Sequence, residues 1–285
     1  MRDNAGTGNS AHSNASSGGR PAGSSPSSSS LTSSRVVNVA AKTDFQQQIH
    51  DEKRNVTWAI DVCGLITLMI YDEVFGTILQ QIDDANTSLL SGVPSGWSTP
   101  NRGGKHLIFD YEIDSRGRTT QQLGPVHTID IGGVATVVRR ADWTIYKDAE
   151  HATWTASGYA TGIGPAYAYT LINPVNIQQR DARGNILEQI QVPRGSTSGR
   201  LQPTDTFSQA SFTRWTSWQY TDGCLVSSMR NYHTIPASGA GASGPHYDLW
   251  TYSYDSQGRM IQQVSPSTSL QSTRRHCDDA EKPTG

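Results

Sequence analysis

The sequence predicts an all-β fold: antiparallel β-hairpins arrayed into a curved, partly open sheet behind a disordered N-terminal tail. Three observations predict it. A short unit recurs along the chain, an aromatic residue followed by an aspartate, a glycine three positions later and a mixed strand. The segments around these units alternate apolar and polar residues and are rich in β-branched and aromatic side chains, the pattern of half-buried strands. Helical spacing is scarce. Val74, Ile78 and Ile82 recur every four residues, but Gly76 interrupts that run and the same residues fit the recurring unit, so a strand is expected there.

The clearest unit is Thr251 to Val264, TYSYDSQGRMIQQV. Tyr252 and Tyr254 lie two apart and share one face of an extended chain. Asp255 to Gly258 then reads as a tight reversal. Aspartate hydrogen-bonds the backbone two residues on, and glycine takes positive φ without steric cost. Met260, Gln262 and Val264 resume on one face of a second strand, completing a hairpin.

The same spacing places Asp61 with Gly64, Asp114 with Gly117 and Asp181 with Gly184. Asp148 is followed at the glycine position by His151, and histidine tolerates the left-handed conformation better than most residues. Asp72 and Gly76 form a copy one residue longer, and Asp222-Gly223 reads as a two-residue hairpin turn. These seven copies are unevenly spaced, so hairpins joined by inserts of variable length fit better than a solenoid of fixed period. Aspartates and glycines that recur in this way are expected to shape the backbone, because catalysis needs one asymmetric site.

With those residues in view, the units resemble the YD repeats of the Rhs family of large bacterial surface and secreted proteins. YSYDSQGRMIQQV is the best match and YEIDSRGRTTQQL the next, and the resemblance covers roughly residues 56 to 266. It implies a long β-sheet that spirals into a hollow shell, at the cell exterior or around a C-terminal toxin. This chain departs from the pattern in its degenerate repeats and in showing neither a toxin domain nor the family's cleavage region.

Composition bounds the rest. The chain has 285 residues, a net charge of −2 and a charged fraction of 17%, below the roughly 25% of soluble domains. Gly, Ser and Thr fill the gap. There is no basic footprint for nucleic acid. Residues 1 to 34 hold 12 serines, with Leu31 the only large aliphatic. Such a segment buries too little apolar surface to offset chain entropy of about 1–2 kcal/mol per residue. It lacks the apolar core of a secretion signal, so the expectation is a piece of a larger protein with its signal upstream. The organisation expected is a Ser/Gly-rich tail and linker over 1–55, a repeat domain over 56–270 and a frayed polar tail over 271–285. The most apolar stretch, VTWAIDVCGLITLMIY, is too short for a membrane helix and contains Asp61, so core strands are expected instead.

Along the array, IDDANTSLLSGVPSGWSTPNRGGKH reads as a long loop, HTIDIGGVATVVRR as a hairpin turning at Gly132-Gly133, and TIPASGAGASGPHY as another loop. The candidate chemistry is thin. Asp110 and Glu112 share a strand face and could act as a glycosidase pair with Asp114, but Asp114 is a turn residue. His106, His127, His151, His233 and His246 are scattered without metal spacing. Cys63, Cys224 and Cys277 are odd in number and include no C-x-x-C; a Cys63–Cys224 disulfide and a Cys224–His233 nucleophile pair lack further support. Gly162 and Gly164 lack the context of a phosphate loop. Trp143, Trp154, Trp215, Trp218 and Trp250 read as cross-strand packing, or as a platform for sugar stacking. The expectation is therefore a non-enzymatic scaffold or shell of a surface or secreted protein, without cofactor or metal. Its partners would be other parts of a larger Rhs-like chain. The alternative is a carbohydrate-binding or adhesive module.

Overall fold

The computed structural model describes residues 36–37, 45–162, 164 and 166–266. The serine-rich segment and the 271–285 tail lie outside the described residues. Fifteen strands occur among the described residues: β1 (Val36–Val37), β2 (Phe45–His50), β3 (Val56–Asp61), β4 (Ile66–Tyr71), β5 (Ile78–Asp83), β6 (Leu107–Ile113), β7 (Thr119–Ile131), β8 (Val134–Lys147), β9 (Ala152–Thr161), β10 (Ala168–Arg180), β11 (Ile186–Val192), β12 (Arg214–Tyr220), β13 (Val226–Tyr232), β14 (Tyr247–Tyr254) and β15 (Met260–Val264). They form one open antiparallel sheet whose spatial order is the sequence order from β1 to β15. The all-β hairpin array is therefore present as a single uninterrupted meander. The stretch that resembled a helix, around Val74 to Ile82, is a turn followed by β5. The apolar VTWAIDVCGLITLMIY forms β3 and β4, and among the described residues no helix is long and apolar enough to cross a membrane.

One boundary is corrected. The linker expected up to residue 55 contains β2, which pairs with β3 so that Ile49 lies opposite Trp58. The run FQQQIH looks polar because only Ile49 of its residues beyond Gln46 is buried in the core.

A meander sends alternate connections to opposite ends of its strands, and this chain uses the two ends differently. Seven tight turns, after β2, β4, β6, β8, β10, β12 and β14, lie at one end. The other end carries the Asp61–Leu65 turn, the Gly132-Gly133 hairpin and the inserts over 84–106, 162–167, 193–213 and 233–246.

The inserts explain how a single sheet keeps an apolar face dry. Leu90, Val93 and Trp97 of the first long insert pack on Ile49, Trp58, Ile66 and Ile82. Further along, Leu201, Phe207, Phe212 and Ile235 join a cluster built on Trp143, Trp154, Leu171, Val175, Ile190 and Trp215. Phe207 meets Trp154 edge to face at 5.2 Å, a contact worth about 0.5–1.5 kcal/mol beyond its area. The hairpins thus bury their aromatic face against inserts as well as against one another.

Candidate functional site

The recurring aspartates are the natural starting point. At Asp61, Asp114, Asp181 and Asp255 the geometry is the same each time. The backbone N–H of the glycine donates to the aspartate carbonyl at 3.0 Å in all four turns. One carboxylate oxygen then accepts from the N–H groups two and four residues on: Cys63 and Leu65 at 2.8 Å, Arg116 and Arg118 at 2.8 and 3.0 Å, Arg183 and Asn185 at 2.9 and 2.8 Å, and Gln257 and Arg259 at 2.9 Å. Gly64, Gly117, Gly184 and Gly258 all have φ between 75° and 88°, the region that disfavours a Cβ. Asp72 closes the longer copy, with its carboxylate accepting from Val74 and Phe75 and its carbonyl from Gly76.

Two copies differ from their reading. Asp222 does not anchor its turn. Thr221 holds the aspartate position, with its carbonyl accepting from Cys224 and its hydroxyl from Leu225. Cys224, at φ 61°, holds the glycine position. Asp222 and Gly223 are the two corner residues, so the frame moves by one and Gly223 is not the left-handed residue. In the Asp148 copy, a single 3-10 turn over Asp148–Glu150 ends on His151 at φ 50°. The Asp148 carboxylate turns away from its own backbone to a bidentate ion pair with Arg118 at 2.7 and 2.8 Å, joined by Arg116 at 3.0 Å. Those arginines, Arg118 first, hold its carboxyl below the ordinary value.

A further turn escaped the sequence reading. Asp51 anchors the connection from β2 to β3, and Arg54, at φ 70°, takes the place of glycine. Arginine carries no turn signal, and the glutamine-rich strand before it concealed the unit.

The seven turns at one end form a continuous row. Lys53 donates to the Glu73 carbonyl. Thr77 donates to the Gly117 carbonyl at 2.7 Å. Arg118 reaches Asp148, the Arg180 N–H donates to the His151 carbonyl at 3.0 Å, and Arg183 donates to the Asp222 carbonyl at 2.8 Å. Gly258 lies against Leu225. Asp61 stands apart from this row, at the opposite end.

The tyrosine just before a turn has its own task. Tyr71 donates to the Val56 carbonyl at 2.9 Å, Tyr220 to that of Ile186 at 2.8 Å and Tyr254 to that of Val226 at 2.8 Å. Each acceptor opens a preceding strand (β3, β11 or β13). In all three cases the bond ties one hairpin to the hairpin before it.

The residues considered for catalysis are dispersed. Asp110 is ion-paired with Arg139 at 2.6 Å, and Glu112 with Arg200 at 2.7 Å. Arg139 is buried and also donates to the carbonyls of Gly124, Leu123 and Ile108 and to the Tyr167 hydroxyl. It plugs the irregularity where the β7–β8 register slips between Leu123 and Val126. Cys224 precedes β13 and His233 follows it, so the strand separates them. Cys63 and Cys224 are free thiols, and Cys277 lies outside the described residues. Trp143, Trp154 and Trp215 are buried, which removes them as exposed sugar platforms. Among the described residues no group of three His, Cys, Asp or Glu is arranged to hold a metal ion.

One cleft is notable. Its lining includes Glu188, Trp215, Ser217, Arg230 and Tyr232, its volume is about 570 Å³, and it lies on β11, β12 and β13 beneath the inserts. Burial pushes the Glu188 carboxyl up, and the nearby Trp215 indole pulls it part of the way back. The two do not make a well-formed hydrogen bond, because Trp215 Nε1 has no partner.

No family model matches the chain, and no curated protein does either. A chain of the Photorhabdus luminescens Tc holotoxin pore is similar over 80% of this chain and 12% of its own length, at 12% identity and a TM-score of 0.22. A likeness that slight bears on neither fold nor function.

Proposed function

We propose that this chain is a non-catalytic β-repeat scaffold, a wall segment of a larger surface or secreted protein of the Rhs type. One observation carries the reading: the same hydrogen-bond set recurs in four turns, so the recurring aspartates are engaged in holding hairpins at a fixed geometry. The tyrosine bonds and the row of turns then join hairpin to hairpin, the way repeat arrays transmit order through neighbours. Among the described residues the sheet also ends on β15, exposed at all five residues. An edge of that kind accepts further strands, and the partner in this reading is another part of the same larger chain.

Hydrogen exchange tests it. In the recombinant 285-residue chain the outward amides of β15 should exchange quickly. In the protein recovered from the cells that make it, they should be protected. Equal exchange in both would refute an extended array. Protease treatment of intact producing cells tests placement: cleavage without lysis supports the surface or secreted location, and protection equal to that of a cytosolic marker contradicts it.

A further inference from the structure

Buried polar atoms are almost always partnered, and one strip of this sheet breaks that rule three times. The register of β11, β12 and β13 places Glu188 opposite Ser217, and Ser217 opposite Arg230. One pair further out, the Trp215 ring stacks on Tyr232 with centroids 3.9 Å apart and planes 8° from parallel. Gln209, Phe212, Gly239 and Ala240 of the inserts also line the cleft. Three of its lining residues carry a buried polar atom, Trp215 Nε1, Tyr232 Oη and Arg230 Nε, that makes no hydrogen bond among the described residues. Trp215 and Tyr232 are each 7% exposed, too little for bulk water to serve their polar atoms.

The three atoms share a chemistry. Indole N–H and guanidinium N–H only donate, and the tyrosine hydroxyl donates readily. What is missing is therefore an acceptor. Arg230 adds a positive charge, held over the Tyr247 ring 5.3 Å from its centroid. A guanidinium fork matches a planar carboxylate. The Glu188 and Arg230 backbones stand two strand spacings apart, about 9.5 Å, with Ser217 between them, and both side chains line the cleft. A phosphate dianion would meet a single cation and face Glu188 as well, so a monoanion suits the site better. The remaining capacity is for hydroxyl groups. The Gln209 amide N–H₂ is taken by the carbonyls of Pro236 and Gly239, which leaves its oxygen free, and Gln219 uses its oxygen on Ser228, which leaves its N–H₂ free. The volume falls within the range of about 300–1,000 Å³ of small-molecule sites.

We propose that this cleft binds a small hydroxylated carboxylate, with Arg230, Trp215 and Tyr232 donating to the carboxylate and Glu188 accepting from a hydroxyl. The site is distinct from the tryptophan platform expected from sequence, because polar edges do the recognition and the stacked ring faces are closed. It stands apart from the scaffold reading, and its failure would leave the exchange experiment untouched.

Sodium D-glucuronate, sodium lactate, D-glucose and inorganic phosphate are added separately to the full chain, and melting temperature and tryptophan fluorescence are followed. A rise in melting temperature with both glucuronate and lactate supports the proposal and identifies a carboxylate with a neighbouring hydroxyl as the recognised unit. A rise with glucuronate alone supports it as a sugar-acid site, and a rise with lactate alone as a hydroxy-acid site. A response only to glucose or only to phosphate overturns the carboxylate assignment, and no response to any of the four overturns the site. Tyr232→Phe removes only the unmet hydroxyl. It should leave the melting temperature of the free protein unchanged or higher and weaken binding by about fivefold or more. A lower melting temperature would reveal a partner within the fold and remove the basis of the proposal. Arg230→Lys keeps the charge but loses the fork, and it should weaken carboxylate binding further than Tyr232→Phe does; undiminished binding counts against the assignment.

Discussion

Replacing Gly117 with alanine should destabilise the sheet more than the same change at Gly184, although both glycines occupy the same position of the same turn. At Gly184, with φ +88°, an added Cβ would find nothing within 4 Å. The penalty there is the left-handed backbone alone, about 1–2 kcal/mol, reduced by the stiffer unfolded chain to about 1 kcal/mol. At Gly117, with φ +75°, the added Cβ would lie 2.5 Å from Phe75 Cβ and 2.6 Å from its Cγ. Overpacking of this kind adds about 1–3 kcal/mol, for a total of about 2–4 kcal/mol. Urea denaturation followed by tryptophan fluorescence reads both variants, with an unchanged slope showing that the midpoint reports stability. Phe75→Ala should recover part of the Gly117→Ala loss, because it removes the ring but leaves its Cβ. Equal losses at the two glycines would mean that neighbouring turns do not touch. No loss at Gly184 would mean that the turn does not need a left-handed residue, and the account of the repeat would fall with it.

Tyr71→Phe and Tyr220→Phe should each destabilise by about 1 kcal/mol, the net worth of a hydrogen bond; neutral variants in thermal melts would show that the tyrosines only pack. Cys224→Gly should stabilise by about 0.5–1 kcal/mol, since it removes a Cβ from a left-handed position at some gain in unfolded-chain freedom; a lower urea midpoint would contradict the corrected turn frame. Acid should weaken the sheet through its turns. Asp181 is held below the ordinary carboxylate value of 3.8 first by the Asn185 side chain, and Asp255 first by the Arg259 backbone N–H. A depressed folded value contributes stability that is complete above the unfolded value and is lost as pH falls through the folded one, so the loss should set in below about pH 4. The Asp181→Asn and Asp255→Asn double variant should lose less stability across that window, measured by urea midpoints at a series of pH values, and an equally steep loss would assign the acid sensitivity elsewhere.

What could be read from sequence divides along a physical line. A turn is a local object: Asp114 and Gly117 dictate their reversal within five residues, whatever surrounds them, so the unit shows wherever the preferred residues occur. It disappears where the backbone conformation is kept and the residue is not, as at Arg54 and Cys224, which hold left-handed positions at φ 70° and 61°. Neighbours over-determine such residues once the strands are paired, and nothing in their own chemistry announces it. The end of the sheet at which a turn falls is not local either. Asp61 has the same bonds as Asp114 yet lies at the opposite end, because that depends on how many strands precede it. The cleft is further still from view. Glu188, Trp215, Arg230 and Tyr232 are separated by loops of unrelated length, and only the register of three strands sets them in one strip. A one-residue slip in any of those pairings would turn its members to the other face. β12 and β13 are joined by the Thr221–Leu225 turn, whose left-handed residue is Cys224, and β11 and β12 by the long insert over 193–213, so the strip is set by the connections that the sequence discloses least.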